Sequence, residues 1–132
     1  RNLDMNQLIG AKAYADIGAH SKIASASGHE LIDVLLRSIL ERLTQTSTAM
    51  SSGNVAEKGR LIGKMLDTLM YLQVCLDQDK GELSRNLNQT YDTCMVLLTK
   101  ANLDNQPEYL DRVAMMISAV RDAWIQVGEQ TR

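Results

Sequence analysis

The stretch from Gly81 to Asn102 reads GELSRNLNQTYDTCMVLLTKAN. Its apolar residues recur at steps of three and four, which places them on one stripe of an α-helix. They are Leu83, Leu87, Tyr91, Cys94, Leu98 and Ala101. Because polar side chains fill much of the opposite face, the stripe has to pack against other apolar helix faces. We therefore predict a core helix of a helical bundle, with Leu87 fully buried in the middle of its stripe.

A capping box begins the first long helix. The side chains of Ser27 and Glu30 are spaced to bond each other's backbone N–H groups, so this helix is predicted to start at Gly28. It should run to about Met50, because the Ser-Ser-Gly run at 51–53 breaks a helix. Its wide apolar face consists of Leu31, Ile32, Val34, Leu35, Leu36, Ile39, Leu40 and Leu43.

Two further helices have recognisable starts. Asn54 is placed to cap the second helix, and Pro107 suits the first position of the fourth. A polar turn at 77–81 separates the second helix from the third, and Gly128 with a polar tail ends the fourth. The second helix carries Leu61, Ile62, Met65, Leu66, Leu69, Met70, Leu72 and Leu76, and the fourth carries Leu110, Val113, Ile117, Val120, Trp124 and Val127.

Long helices with short connections predict an all-α fold, an antiparallel up-down four-helix bundle. We place the bundle at residues 27–128 and a polar tail at 129–132. Residues 1–26 are predicted to form an N-terminal arm with a short amphipathic helix, roughly Met5 to Tyr14.

Composition excludes several classes of function. A net charge of -2 with mixed signs argues against a nucleic-acid partner, and the absence of about 18 consecutive apolar residues argues against membrane insertion. The N-terminus has no apolar segment of the secretory type, which favours the cytosol. Cys75 and Cys94 are predicted to be buried, poorly reactive free thiols in that reducing compartment, although a disulfide between them remains open.

Catalytic and metal-binding patterns are not recognisable in the sequence. The two histidines, His20 and His29, have no Glu-x-x-His context, and His29 is predicted to be a surface residue at a helix start. The two cysteines form no Cys-x-x-Cys motif. We therefore expect no enzyme activity, no catalytic residues, no cofactor and no metal site.

The remaining expectation is a partner-binding groove. The first and second helices carry more apolar positions than one core stripe requires, and exposed apolar grooves mark partner sites. The seven methionines fit an adaptable groove, or they fill a core that lacks Phe. On the second helix, either the line through Leu61 and Met65 or the line through Ile62 and Leu69 could face this groove. The candidate groove residues are Tyr14, Ile17, Ile23, Leu31, Leu35, Leu61, Met65, Leu72, Met115 and Met116.

Five short motifs follow one another in a familiar order. Tyr14 lies in an Ala-Tyr-Ala run, and residues 27–32 read SGHELI. Residues 81–91 read GELSRNLNQTY, residues 98–102 read LTKAN, and residues 121–124 read RDAW. In this order and spacing, from Ala13 to Val127, the chain resembles the flagellar export chaperones of the FliS family. Two positions depart from the family pattern. Gly28 replaces a Pro, and Leu36 replaces a Tyr, so no hydroxyl contact is expected at position 36.

The resemblance implies a cytosolic chaperone that binds the disordered C-terminal segment of flagellin, prevents its premature polymerisation and delivers it for export. It also implies that the N-terminal arm covers the hydrophobic groove when flagellin is absent. Components of the export gate are further candidate partners. The alternative is a bundle adaptor that binds another amphipathic helix, from a regulator or an export component. The protein itself is expected to be a monomer or a weak dimer.

Overall fold

A computed structural model describes residues 28–76 and 81–130 of the chain. Within them lie four helices: α1 (Gly28–Ser51), α2 (Val55–Val74), α3 (Glu82–Asp104) and α4 (Pro107–Gln130). The predicted all-α four-helix bundle is confirmed. The predicted arm, its short helix and the capping Ser27 lie outside the described residues.

The helix ends follow from local chemistry. Asn54 caps α2 as predicted, because its side-chain Oδ1 accepts a hydrogen bond from the Glu57 N–H at 3.1 Å. Asn105 ends α3 in the left-handed conformation, with φ of 54°, and its N–H donates to the Ala101 carbonyl at 2.9 Å. Pro107 then begins α4, where its missing N–H has no helical partner to lose.

The four helices form a closed ring in which each helix packs against two neighbours. Contacts join α1 to α2, α2 to α3, α3 to α4, and α4 back to α1. Buried side chains from all four helices meet in one core, in which Ile39, Met65, Leu98 and Ile117 are fully buried. This arrangement requires an apolar face on each helix that is wide enough to cover two partners.

That requirement corrects the interpretation of the wide apolar faces. From the sequence, the extra apolar positions of the first two helices are predicted to form an open groove. Instead, the line through Leu61 and Met65 and the line through Ile62 and Leu69 are both buried. A helix that packs on two neighbours buries two adjacent lines of side chains, so the surplus is largely used within the fold.

The stripe of α3 is only partly core. Tyr91, Cys94, Leu98 and Ala101 are buried as predicted. Leu87 is half-buried and Leu83 is 68% exposed, so full burial of Leu87 was a wrong prediction. Both lie in the first turns of α3, where the stripe extends beyond the closely packed part of the core.

Candidate functional site

An apolar cavity of about 230 Å³ lies at the end of the bundle where α1 and α3 begin and α2 and α4 end. All four helices contribute to it. Its described lining consists of Ile32, Leu36, Leu72, Cys75, Leu76, Leu83, Leu87, Tyr91, Val120, Ala123, Trp124 and Val127. No charged side chain belongs to this described lining. The cavity therefore favours the binding of an apolar group.

Exposure along the helices distinguishes the floor of the cavity from its mouth. Leu36, Leu72 and Tyr91 are almost completely buried and form the floor. Leu83 and Val127 are exposed and lie at the mouth. Leu87 lies between the two levels, half-buried on the same stripe as Tyr91 and Leu83. The stripe of α3 thus runs from the core along the cavity wall to the surface.

The ionisable groups of the lining stay neutral near pH 7. Burial raises the pKa of Tyr91 to about 12. Loss of hydration also raises the pKa of the Cys75 thiol, although a hydrogen bond with Tyr71 acts in the opposite direction. A neutral, apolar lining attracts an apolar side chain without an electrostatic contribution, and it disfavours the entry of a charged one.

One wall of the cavity is the indole of Trp124. Its ring stacks on the imidazole of His29 across the α1–α4 interface, with centroids 4.5 Å apart. His29 is therefore half-buried in a contact between helices, which corrects its prediction as a surface residue. Farther along the same interface, the Arg121 guanidinium donates to the Asp33 carboxylate at 2.8 Å.

Most of the predicted groove residues are found elsewhere. Leu72 lies in the cavity floor, whereas Leu35, Leu61 and Met65 are buried outside its lining, which corrects their placement in an open groove. Leu31 and Met116 are half-buried against the core, and Met115 is 74% exposed on α4. Tyr14, Ile17 and Ile23 lie outside the described residues.

Several cavity residues were absent from the sequence-based set. Examples are Val120, Trp124 and Val127, from the predicted stripe of the fourth helix, and Ile32, from the wide apolar face of the first. For three of them the available signal is position: Ile32 lies in the first turns of α1, and Trp124 and Val127 lie in the last turns of α4, at the same end of an up-down bundle. Periodicity identifies the inward face of a helix, but it does not show that this face extends along the helix beyond the packed core.

The two cysteines differ in their surroundings. Both are free, so the disulfide that the sequence left open is not formed. Cys94 is buried as predicted, and burial raises its pKa to about 11. Cys75 is exposed, which corrects its predicted burial, because it follows the last residue of α2 at the edge of the cavity.

Two further searches concern the described part of the chain. Within residues 28–76 and 81–130, no three His, Cys, Asp or Glu side chains are grouped so as to hold a metal ion. In the same ranges, no helix has the length and apolar character needed to cross a membrane.

The fold and the cavity define a small helical bundle with an apolar pocket at one end. Comparison with known proteins makes the class specific. The family described as Flagellar protein FliS matches residues 10–131. The chain belongs to this family of flagellar secretion chaperones.

Three relatives from this family are similar in sequence to this chain over most of their length. The flagellar secretion chaperone FliS of Vibrio cholerae is 37% identical over 117 residues, which are 88% of this chain and 86% of the relative. The chaperone FliSB of Pseudomonas aeruginosa is 34% identical, with 86% of this chain and 90% of the relative covered. FliS of Salmonella typhimurium is 33% identical, with 90% of each chain covered.

Proposed function

We propose that this protein binds the C-terminal segment of flagellin and that the apolar cavity holds apolar side chains of that segment. The observation that carries the proposal is the apolar cavity, which all four helices line. The chain also belongs to a family of flagellar secretion chaperones. Its lining is apolar, and its mouth includes a Leu side chain that is 68% exposed, Leu83. Exposed apolar surface of this kind marks a binding site for a partner.

A disordered, amphipathic segment is the partner that suits such a site. An amphipathic helix presents apolar side chains at positions i, i+3, i+4 and i+7, and these can enter an apolar groove together. A disordered chain loses conformational entropy when it folds on a surface, so burial of apolar area has to supply the free energy. The cavity, with its floor at Leu36, Leu72 and Tyr91, offers that burial.

The biological consequence is capping. As the family resemblance implies, the C-terminal segment of flagellin becomes part of the filament core, so a bound segment is withheld from premature assembly in the cytosol. The complex then delivers flagellin to the flagellar export apparatus, whose gate components are candidate contacts. In this proposal the protein acts by binding, without catalysis and without a cofactor. We further propose that residues 1–26, which lie outside the described residues, act as the displaceable cover that the family resemblance implies.

The test is a titration with a synthetic peptide of the flagellin C-terminal segment, followed by calorimetry and circular dichroism. Wild-type protein should bind with a gain of helix, a negative heat-capacity change and little dependence on salt, because apolar burial drives the association. No heat and no helix gain at tens of micromolar protein would refute flagellin binding, since this concentration corresponds to roughly -6 kcal/mol.

Two leucines of α3 form a matched pair for this titration. Leu83 is 68% exposed at the cavity mouth, and Leu103 is 78% exposed at the opposite end of the helix, outside the cavity lining. Leu83→Gln should weaken peptide binding by about 10- to 100-fold, because burying a Leu side chain contributes about 1.5–3 kcal/mol. Leu103→Gln should leave the affinity unchanged. Equal losses in both variants would place the binding site elsewhere.

A further inference from the structure

Reciprocal contacts hold the Trp124 side chain at the α1–α4 interface. The His29 imidazole and the indole are stacked with an interplanar angle of 11° and centroids 4.5 Å apart. The indole Nε1–H donates to the His29 backbone carbonyl at 2.9 Å. In return, His29 Nε2 lies 2.8 Å from the Trp124 backbone carbonyl. Since a carbonyl oxygen only accepts, the His29 proton must reside on Nε2.

Gly128 makes room for this arrangement. It lies one helical turn after Trp124 on α4 and is buried. A Cβ atom placed on Gly128 would overlap the Cε1 and Nε2 atoms of His29. Any residue larger than Gly at this position therefore requires the imidazole to leave its place on the indole. The glycine, the imidazole and the indole form one contact set, which we call the indole clasp (His29, Trp124 and Gly128).

We propose that His29 and Gly128 are positioning residues, which fix Trp124 as a rigid wall of the apolar cavity and so prepare the cavity for its partner. The identity of that partner as the flagellin segment rests on the proposed function. A wall that is already ordered loses no side-chain freedom when the partner binds, and this preorganisation increases affinity. His29 does not itself belong to the described cavity lining, so it acts through Trp124.

A purely structural role for the clasp, as a brace between α1 and α4, makes a different prediction. The Arg121–Asp33 ion pair joins the same two helices farther along the interface, and buried residues of α1 and α4 meet in the core. His29 is only partly buried, in the first turn of α1. Its loss should therefore disturb the position of the indole much more than the cohesion of the bundle.

Trp124 reports on its own position, because it is the only tryptophan of the chain. Its emission maximum and its quenching by acrylamide can be measured in the full chain without any partner. The variants are His29→Ala, Gly128→Ala, the double variant, and His29→Phe, which keeps an aromatic ring for stacking. Gln126→Ala, an exposed change close to Trp124 on α4, is the matched control.

We expect His29→Ala and Gly128→Ala to shift the emission of Trp124 to longer wavelength and to increase its quenching. Both should bind the flagellin peptide about threefold to tenfold more weakly, because the Trp124 side chain then has to be ordered when the peptide binds. His29→Phe should restore most of the emission and affinity. The double variant should be no worse than His29→Ala, because Gly128→Ala acts by displacing the imidazole.

The proposal is overturned if His29→Ala and Gly128→Ala leave emission and quenching at the values of wild type and Gln126→Ala. It is also overturned if their peptide affinity is unchanged, or if Gly128→Ala adds its full effect to that of His29→Ala. Thermal melts of every variant separate these results from loss of the fold. A wild-type protein that fails to bind the peptide refutes the proposed function, whereas the partner-free emission measurements still decide whether the clasp positions Trp124.

Discussion

Leu87→Ala and Leu98→Ala remove the same atoms from the same stripe of α3, yet the structure predicts different costs. Leu98 is completely buried in the core, whereas Leu87 is half-buried in the cavity wall. From the sequence alone, both would be core residues with equal effects. The pair therefore tests the cavity directly.

The magnitudes follow from burial. Leu98→Ala leaves a void between packed side chains and should lower the free energy of unfolding by about 2–5 kcal/mol. At Leu87, full burial of the removed groups would contribute roughly 2.4 kcal/mol, at about 0.8 kcal/mol per methylene. Because Leu87 is partly exposed and already borders open space, its replacement should cost less than full burial, roughly 1.5–2 kcal/mol.

The assay is urea unfolding followed by far-ultraviolet circular dichroism, with wild type and both variants measured side by side. Similar slopes with different midpoints would attribute the differences to stability. Equal losses at the two positions, or a loss at Leu87 greater than at Leu98, would refute the cavity as described. In the peptide titration the order should reverse: Leu87→Ala should weaken binding, whereas Leu98→Ala should leave the affinity of the folded fraction unchanged.

Three further predictions address the thiols, alkaline pH and the arm. A thiol reagent without denaturant should label the exposed Cys75 faster than the buried Cys94, and bound flagellin peptide should slow the labelling of Cys75. Equal labelling rates would contradict this difference in exposure. Because burial raises the pKa of Cys94 from 9.0 to about 11, its protonated form favours the folded state. This contribution is complete below pH 9 and is lost as pH rises toward 11, so unfolding free energies of wild type and Cys94→Ala should converge there. Deletion of the residues before Ser27 should raise binding of a hydrophobic dye while the helical signal per residue stays high; an unfolded product would show that the arm belongs to the core.

Local chemistry in the sequence determined the helices. The Asn54 cap, the start at Pro107 and the 3.6-residue periodicity are properties of adjacent residues, and the structure confirms them. They were sufficient for the all-α bundle. The ordered motifs, from Tyr14 to Trp124, were likewise sufficient for the family.

Only the tertiary structure decided how deeply each apolar position is buried. A stripe such as that of α3 shows which face points inward, but the neighbouring helices determine where the packed core stops, and so Leu83 and Leu87 line a cavity. The wide face around Met65 is used to cover two neighbours instead of forming an open groove. The stacking of His29 on Trp124 joins residues 95 positions apart. Periodicity and capping describe neighbours along the chain, so a contact between the start of α1 and the end of α4 arises only when the ring of helices closes.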